Sequence, residues 1–262
     1  MRNPPRILAI ETSGRVGSVC VAAGPTVLAR AELQTDARHA SGLHAAIERV
    51  VAGQNWAPDG LDEVYVSGGP GSFTGLRIGI TVARTLGWAT GARVVRVPTV
   101  DALAWNGLRA EAAPSVLAVL LDAKRAQVYA AAFLLRDDAR GPTYEKVVPE
   151  AMTEPYLFLR DTVERLAQGD VSRVAVLGEG VAYHRPAIDR AGVRVLPESL
   201  WPARAEGVHA IGLRMAVAGE YCPLDRCLPI YIRLPEPEEK WLQRQGTPPA
   251  GPHGPGSVGR AG

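Results

Sequence analysis

Lysine is nearly missing from this sequence: Lys124, Lys146 and Lys240 are all it has, and arginine supplies the rest of the positive charge. With 29 basic and 27 acidic residues the formal net charge is +2. Strong, unaided binding to a polyanion relies on clustered phosphate contacts, and such a balance gives no reason to expect it. Three cysteines are too few for a disulfide framework. No apolar run approaches the ~20 residues of a bilayer span; Val116–Leu121 falls far short. The opening stretch Met1–Arg6 runs into a strand without an apolar signal region, and the expectation is a cytoplasmic chain with no membrane contact.

Several site chemistries are missing as well. Gly68–Gly75 (GGPGSFTG) invites a phosphate-loop reading, but nothing supplies the Gly-Lys-Ser/Thr ending whose lysine reaches the terminal phosphates. The G-x-G-x-x-G pattern fails too, because Gly69-Pro70-Gly71 is followed by Ser72-Phe73-Thr74. A tight turn feeding a helix explains the segment, whose N-terminus could still receive an anion. His39 and His44 stand five apart, about 140° around a helix, so they do not share a ligand face. His184 and His209 are isolated, and no metal site is expected. Cys222 and Cys227 have four residues between them, where zinc and thioredoxin-like motifs want two. Ser13, Ser67 and Ser72 lack a Ser/His/Asp order, and Gly71-Ser72-Phe73 is not a nucleophile elbow.

What is present has a repeated plan. Residues 6–11 (RILAIE) read as a strand, a turn follows, and residues 18–23 and 26–33 return as strands. A helix over about 37–54 precedes a short strand at 64–66. A helix over 74–90, a strand at 93–97 and a helix at 99–108 complete the first round. The order restarts with VLAVLLD at 116–122, strands at 127–135 and 143–148, a helix over 154–167, and strands at 174–177 and 193–196. A last amphipathic helix spans 204–220, and from about Pro235 a proline- and glycine-rich stretch cannot bury enough to order itself. Each round ends its first strand in an acid, Glu11 or Asp122. The matched order argues for an internal duplication and an α/β class. The expected units are 1–112 and 113–234 with a tail at 235–262, the last helix packing back on the first unit.

The segment from Val64 to Gly91 is the most distinctive. Ser72 or Thr74 can cap its helix, and Gly91 stands where a C′ glycine would end it. Gly75, Gly79, Ala83 and Gly87 recur every four residues and form one stripe. Each interior glycine costs roughly 0.8–1 kcal/mol relative to alanine, so the chain needs what the stripe permits. The bare stripe can seat a partner's helix or pack inside its own domain; the pattern leaves both readings open. Leu76, Ile78, Ile80, Val82 and Leu86 flank it, and Arg77, Thr81 and Arg84 form a polar strip. At the other tip, Glu11-Thr12-Ser13 offers a carboxylate and two hydroxyls, half of a nucleotide site. The facing Asp122-Ala123-Lys124 has the acid but no glycine or hydroxyl partner, so the site reads as vestigial, with no catalytic residue and no cofactor expected.

Four pieces, ILAIETSGRVGSVCVA, GGPGSFTGLRIGITVARTLG, LLDAKRAQVYAAAF and LPIYIRLPEPEEK, resemble the TsaB (YeaZ) family over most of residues 6–240. The resemblance implies an actin-like, sugar-kinase-like ATPase fold of two RNase H-like halves with mixed sheets, the second reduced. It also implies a role as the non-catalytic dimerisation subunit of the tRNA threonylcarbamoyladenosine complex. The paralogue TsaD carries the transfer of threonylcarbamoyl to N6 of the adenosine beside the anticodon, in tRNAs reading codons that begin with A. The ATPase TsaE docks near the joint, tRNA is met through the complex, and a homodimer is the alternative when TsaD is absent. The implied interface lies on helices 37–54 and 74–90, at Leu43, Ile47, Gly75, Leu76, Gly79, Ile80, Ala83, Leu86 and Gly87. Many members carry aspartate where this chain has Glu11, while glutamate is the paralogue's habit. Two rival readings are an active nucleotide-dependent transferase or kinase and a peptidase acting on its paralogue; no assembled nucleophile supports the second.

Overall fold

Two five-stranded mixed sheets carry the chain in the computed structural model, which describes residues 4–33, 39–139 and 141–232. The first is ordered β3-β2-β1-β4-β5, from β1 (Arg6–Glu11), β2 (Ser18–Ala23), β3 (Thr26–Glu32), β4 (Glu63–Ser67) and β5 (Arg93–Val97). The second is ordered β10-β9-β6-β7-β8, from β6 (Val116–Asp122), β7 (Val128–Asp138), β8 (Gly141–Thr153), β9 (Val174–Leu177) and β10 (Arg194–Val195). In both, the first strand pairs antiparallel with the next and parallel with the fourth. Read from the antiparallel edge the two orders are identical, which is the duplication expected from the sequence. This is the α/β actin-like, sugar-kinase-like architecture, its second half reduced: the strand expected at 193–196 has shrunk to two residues.

The helices are α1 (His39–Ala52), α2 (Phe73–Thr90), α3 (Thr99–Gly107), α4 (Pro155–Leu166), α5 (Arg185–Ala191) and α6 (Ala205–Val217). Alternation along β1 sends Leu8 and Ile10 into one apolar core with α1 and α2, and Ile7 and Ala9 into another with α6. Both faces of this sheet are therefore covered. The third helix of each half crosses over: α3 packs against β6, β7 and β8, while α6 packs against β1, β2, β4 and β5. Val100, Leu103 and Ala104 accordingly sit with Leu117, Val119 and Phe133 in the second half's core. Arg30 reaching Glu206 at 2.8 Å and Arg204 on Glu32 brace the crossover from outside.

Three expectations are corrected. The β7–β8 hairpin is longer than its apolar stretches, because paired backbone carries the ladder on through polar residues to Asp138 and Gly141. Helix α5 went unforeseen: Ile188 is its one buried residue, which leaves no apolar period to detect. The last helix ends at Val217 rather than 220. The expected start of the first helix at Ala37 and the tail at 235–262 lie outside the described residues.

Candidate functional site: a closed tip, an open tip and the outer face of a helix

Helix α2 begins where the sequence places it. The Ser72 hydroxyl accepts from the Gly75 amide at 3.2 Å, and Gly91, at φ +77°, ends the helix by donating its amide to the Gly87 carbonyl at 3.0 Å. What fills the glycine stripe is its own subunit. A Cβ on Gly75 would lie 1.9 Å from the Thr12 carbonyl oxygen, and one on Gly79 would lie 2.3 Å from the Thr12 hydroxyl. On Gly87 it would press on Leu224, Ala92 and Val94 at 2.9–3.0 Å. Leu43, Ile47, Leu76, Ile80 and Ala83 are buried in the same subunit, and Leu86 packs at the margin of that core. Within the subunit, then, the tip of β1 lies against Gly75 and Gly79, and Leu224, Ala92 and Val94 lie against Gly87. The face α2 turns outward carries Phe73, Arg77, Thr81, Thr85 and Trp88, the last 83% exposed. Arg77 lies 3.7 Å over the Phe73 ring and donates to the Tyr231 hydroxyl at 2.9 Å, so part of this face is pre-ordered.

Seating α2 on the first tip seals it. Glu11 is fully buried, one carboxylate oxygen accepting from the amide and hydroxyl of Ser13. Among the described residues its other oxygen and the Thr12 hydroxyl find no hydrogen-bond partner, and the Thr12 amide donates to the Ser67 hydroxyl at 3.3 Å. Burial pushes the Glu11 carboxyl above its ordinary range, against the lowering effect of the bonds from Ser13. The second tip is open. Asp122 pairs with the Lys124 ammonium at 2.6 Å and accepts the Lys124 amide at 3.1 Å. Burial would raise it, but Lys124 and the neighbouring His184 outweigh that and hold it below the usual carboxylate range. Lys124, Arg125 and Ala126 run consecutively in the left-handed region at φ +62°, +52° and +59°, an unfavourable turn for residues with a Cβ.

Between the tips lies a cleft of about 800 Å³ lined by Ser13, Arg15, Ser72, Asp122, Lys124 and Tyr183, among others. Glu11 and Thr12 are not on its walls, so of the three residues read as half a nucleotide site only Ser13 faces it. Arg15 crosses the cleft: its guanidinium donates to the Tyr183 hydroxyl and its amide to Glu179 at 3.3 Å. Sequence reasoning missed both partners, which lie over 160 residues downstream. Among the described residues no three His, Cys, Asp or Glu side chains gather as a metal site, and no helix is long and apolar enough to cross a membrane.

A family model described as TsaD, tRNA N6-adenosine threonylcarbamoyltransferase, matches residues 28–218. The chain belongs to this family. Among its relatives is the tRNA threonylcarbamoyladenosine biosynthesis protein TsaB of Bacillus subtilis, 28% identical over 242 residues, covering 91% of this chain and 99% of the relative. TsaB of Escherichia coli is 29% identical over 230 residues, 87% of this chain and 94% of that one. The crystal structure of YeaZ from Pseudomonas aeruginosa shares the fold, with a TM-score of 0.70 at 24% identity over 87% of this chain and 99% of that one. Within the TsaD family the likeness is therefore to TsaB (YeaZ), as the four sequence pieces imply.

Proposed function

We propose that this chain serves tRNA threonylcarbamoyladenosine biosynthesis as a scaffold without chemistry of its own, binding its paralogue TsaD and holding it in an active shape. Family membership and the TsaB relatives support the biosynthetic role. One observation carries the scaffold reading: α2 is seated on its own tip, yet it leaves Trp88 83% exposed beside Phe73 and Arg77 on a single outward face. Exposed tryptophan and arginine on a rigid helix are the side chains that dominate binding interfaces. The contact surface is then the outward side of α2 with the adjoining exposed side of α1, and the interior residues fix its shape. The buried Glu11 and the ion-paired Asp122 support a cleft that holds the subunit together rather than one that turns over a nucleotide. In this reading TsaE joins at the edge of the pair, tRNA is met through the assembly in the cytoplasm, and the same face closes a homodimer when TsaD is absent.

Reconstitution tests the proposal. Purified TsaD and TsaE are expected to modify tRNA only when this chain is added, and Trp88→Arg is expected to remove that stimulation while the monomer stays folded. Equal modification without the chain, or full stimulation by Trp88→Arg, would overturn it.

A further inference from the structure

After α6 the chain doubles back as a strap across the edge of the first sheet and the end of α2. The Cys222 amide donates to the Val94 carbonyl at 2.8 Å, and the Ile230 amide to the Gly68 carbonyl at 2.7 Å. Between these anchors the Arg226 amide donates to the Pro223 carbonyl at 3.0 Å, closing a turn over Pro223–Arg226. Cys222 and Cys227 flank that turn on its two sides. The two thiols are close enough to influence one another, and Cys222 packs against the apolar core of the first half that contains Cys227. Cys227 is fully buried while Cys222 is partly exposed. Burial and the neighbouring thiol push Cys227 up to about 12, so Cys222 is the group that meets a solute first. The third cysteine, Cys20, is fully buried within the sheet. The turn has a mechanical role, because Leu224 at its crest is the side chain that presses against Gly87 of α2.

We propose that Cys222 and Cys227 form a reversible redox pair that closes a disulfide across this turn when the protein meets a peroxide. The Cys222 sulfur attacks a peroxide oxygen, forming an S–O bond as the O–O bond breaks; the proton given up by the Cys222 thiol ends on the departing oxygen, which leaves as water. The Cys227 sulfur then attacks the sulfenic sulfur; the S–S bond forms, the S–O bond breaks, and a second water carries off the remaining protons. Two thiols are oxidised and the peroxide is reduced to two waters. The disulfide holds Leu224 against α2, and a small-molecule dithiol reopens it by exchange. The sequence spacing is wrong for zinc or for a thioredoxin-like motif, but it suits a pair that flanks a four-residue turn.

The test treats the full-length protein with hydrogen peroxide under native conditions, blocks free thiols, and maps the peptides by mass spectrometry. The expected product is one intramolecular link between Cys222 and Cys227, lighter by two hydrogen atoms and restored by dithiothreitol, with Cys20 still a thiol. Oxidation is expected to raise the thermal midpoint by roughly 2–5 °C. Cys222→Ser is expected to leave Cys227 reduced under the same treatment, with an unchanged circular dichroism spectrum, and Cys227→Ala to stop Cys222 at the sulfenic stage or beyond. The proposal is overturned if Cys222 over-oxidises or links two chains while Cys227 remains a thiol. It is equally overturned if neither residue reacts at peroxide levels that oxidise a free thiol.

Discussion

Strands β1 and β6 occupy the same place in two copies of one plan, and each ends in an acid, yet the two acids live in opposite surroundings. Glu11 is sealed from water and bonded to Ser13, whereas Asp122 stands at the cleft with Lys124 drawn onto it. The cause lies in the helix that follows the parallel partner strand. In the first half this is α2, long and free of side chains at positions 75 and 79, so the Thr12 backbone and hydroxyl slide under it. In the second half it is α5, seven residues with one buried side chain, too short to cover the tip. The fate of a carboxylate is thus set by a neighbour some sixty residues away, not by its own motif.

The comparison breaks most visibly at Gly75. Replacing it with alanine puts a methyl group 1.9 Å from the Thr12 carbonyl, so α2 or the tip must move. A loss of about 3 kcal/mol or more is expected in denaturant unfolding. A neutral Gly75→Ala would mean that the tip is not held as described. Trp88→Ala touches the opposite face and is expected to change stability by no more than about 0.5 kcal/mol. In titrations against TsaD it should weaken binding by about 2 kcal/mol, roughly thirtyfold. Inner and outer faces of one helix would then separate cleanly into folding and binding.

Two smaller effects separate the tips. Because burial raises the Glu11 carboxyl, the fold prefers its protonated form, and stability falls as pH climbs from the unfolded-state value through the higher folded one. Glu11→Gln is therefore expected to melt higher than the parent near neutral pH, with the gain vanishing below about pH 4. Asp122 has the reverse sign, since Lys124 and His184 hold it low against its burial. Its contribution is present above the unfolded-state value and is lost as pH falls through the folded one. Because Lys124 is largely exposed and solvent screens the pair, Asp122→Asn is expected to cost no more than about 1 kcal/mol, visible as a shallower acid limb in thermal melts.

Much of the architecture was legible because it rests on local periodicity. RILAIE and VLAVLLD are apolar strands in any context, Ser72 and Gly91 bracket α2 through short-range bonds, and the repeated order of elements implied the duplication. The site was legible in composition but not in direction. Gly75, Gly79 and Gly87 could be recognised as a surface something must approach, and the approaching atoms, from Thr12 and Leu224, could not. Arg15, Glu179 and Tyr183 share a cleft wall through contacts spanning more than 160 residues, which no spacing rule reaches.

The amino-acid order by itself determined the class of fold, the two copies of its plan, the acids at their tips and the family likeness, since each depends on residues close together in the chain. Tertiary packing alone decided which side of α2 is spent on its own subunit, which acid is sealed, and that the turn at Pro223–Arg226 lies against α2. Burial is a property of what lies on the far side of a side chain, and that neighbour is chosen only when the sheets and helices close on one another.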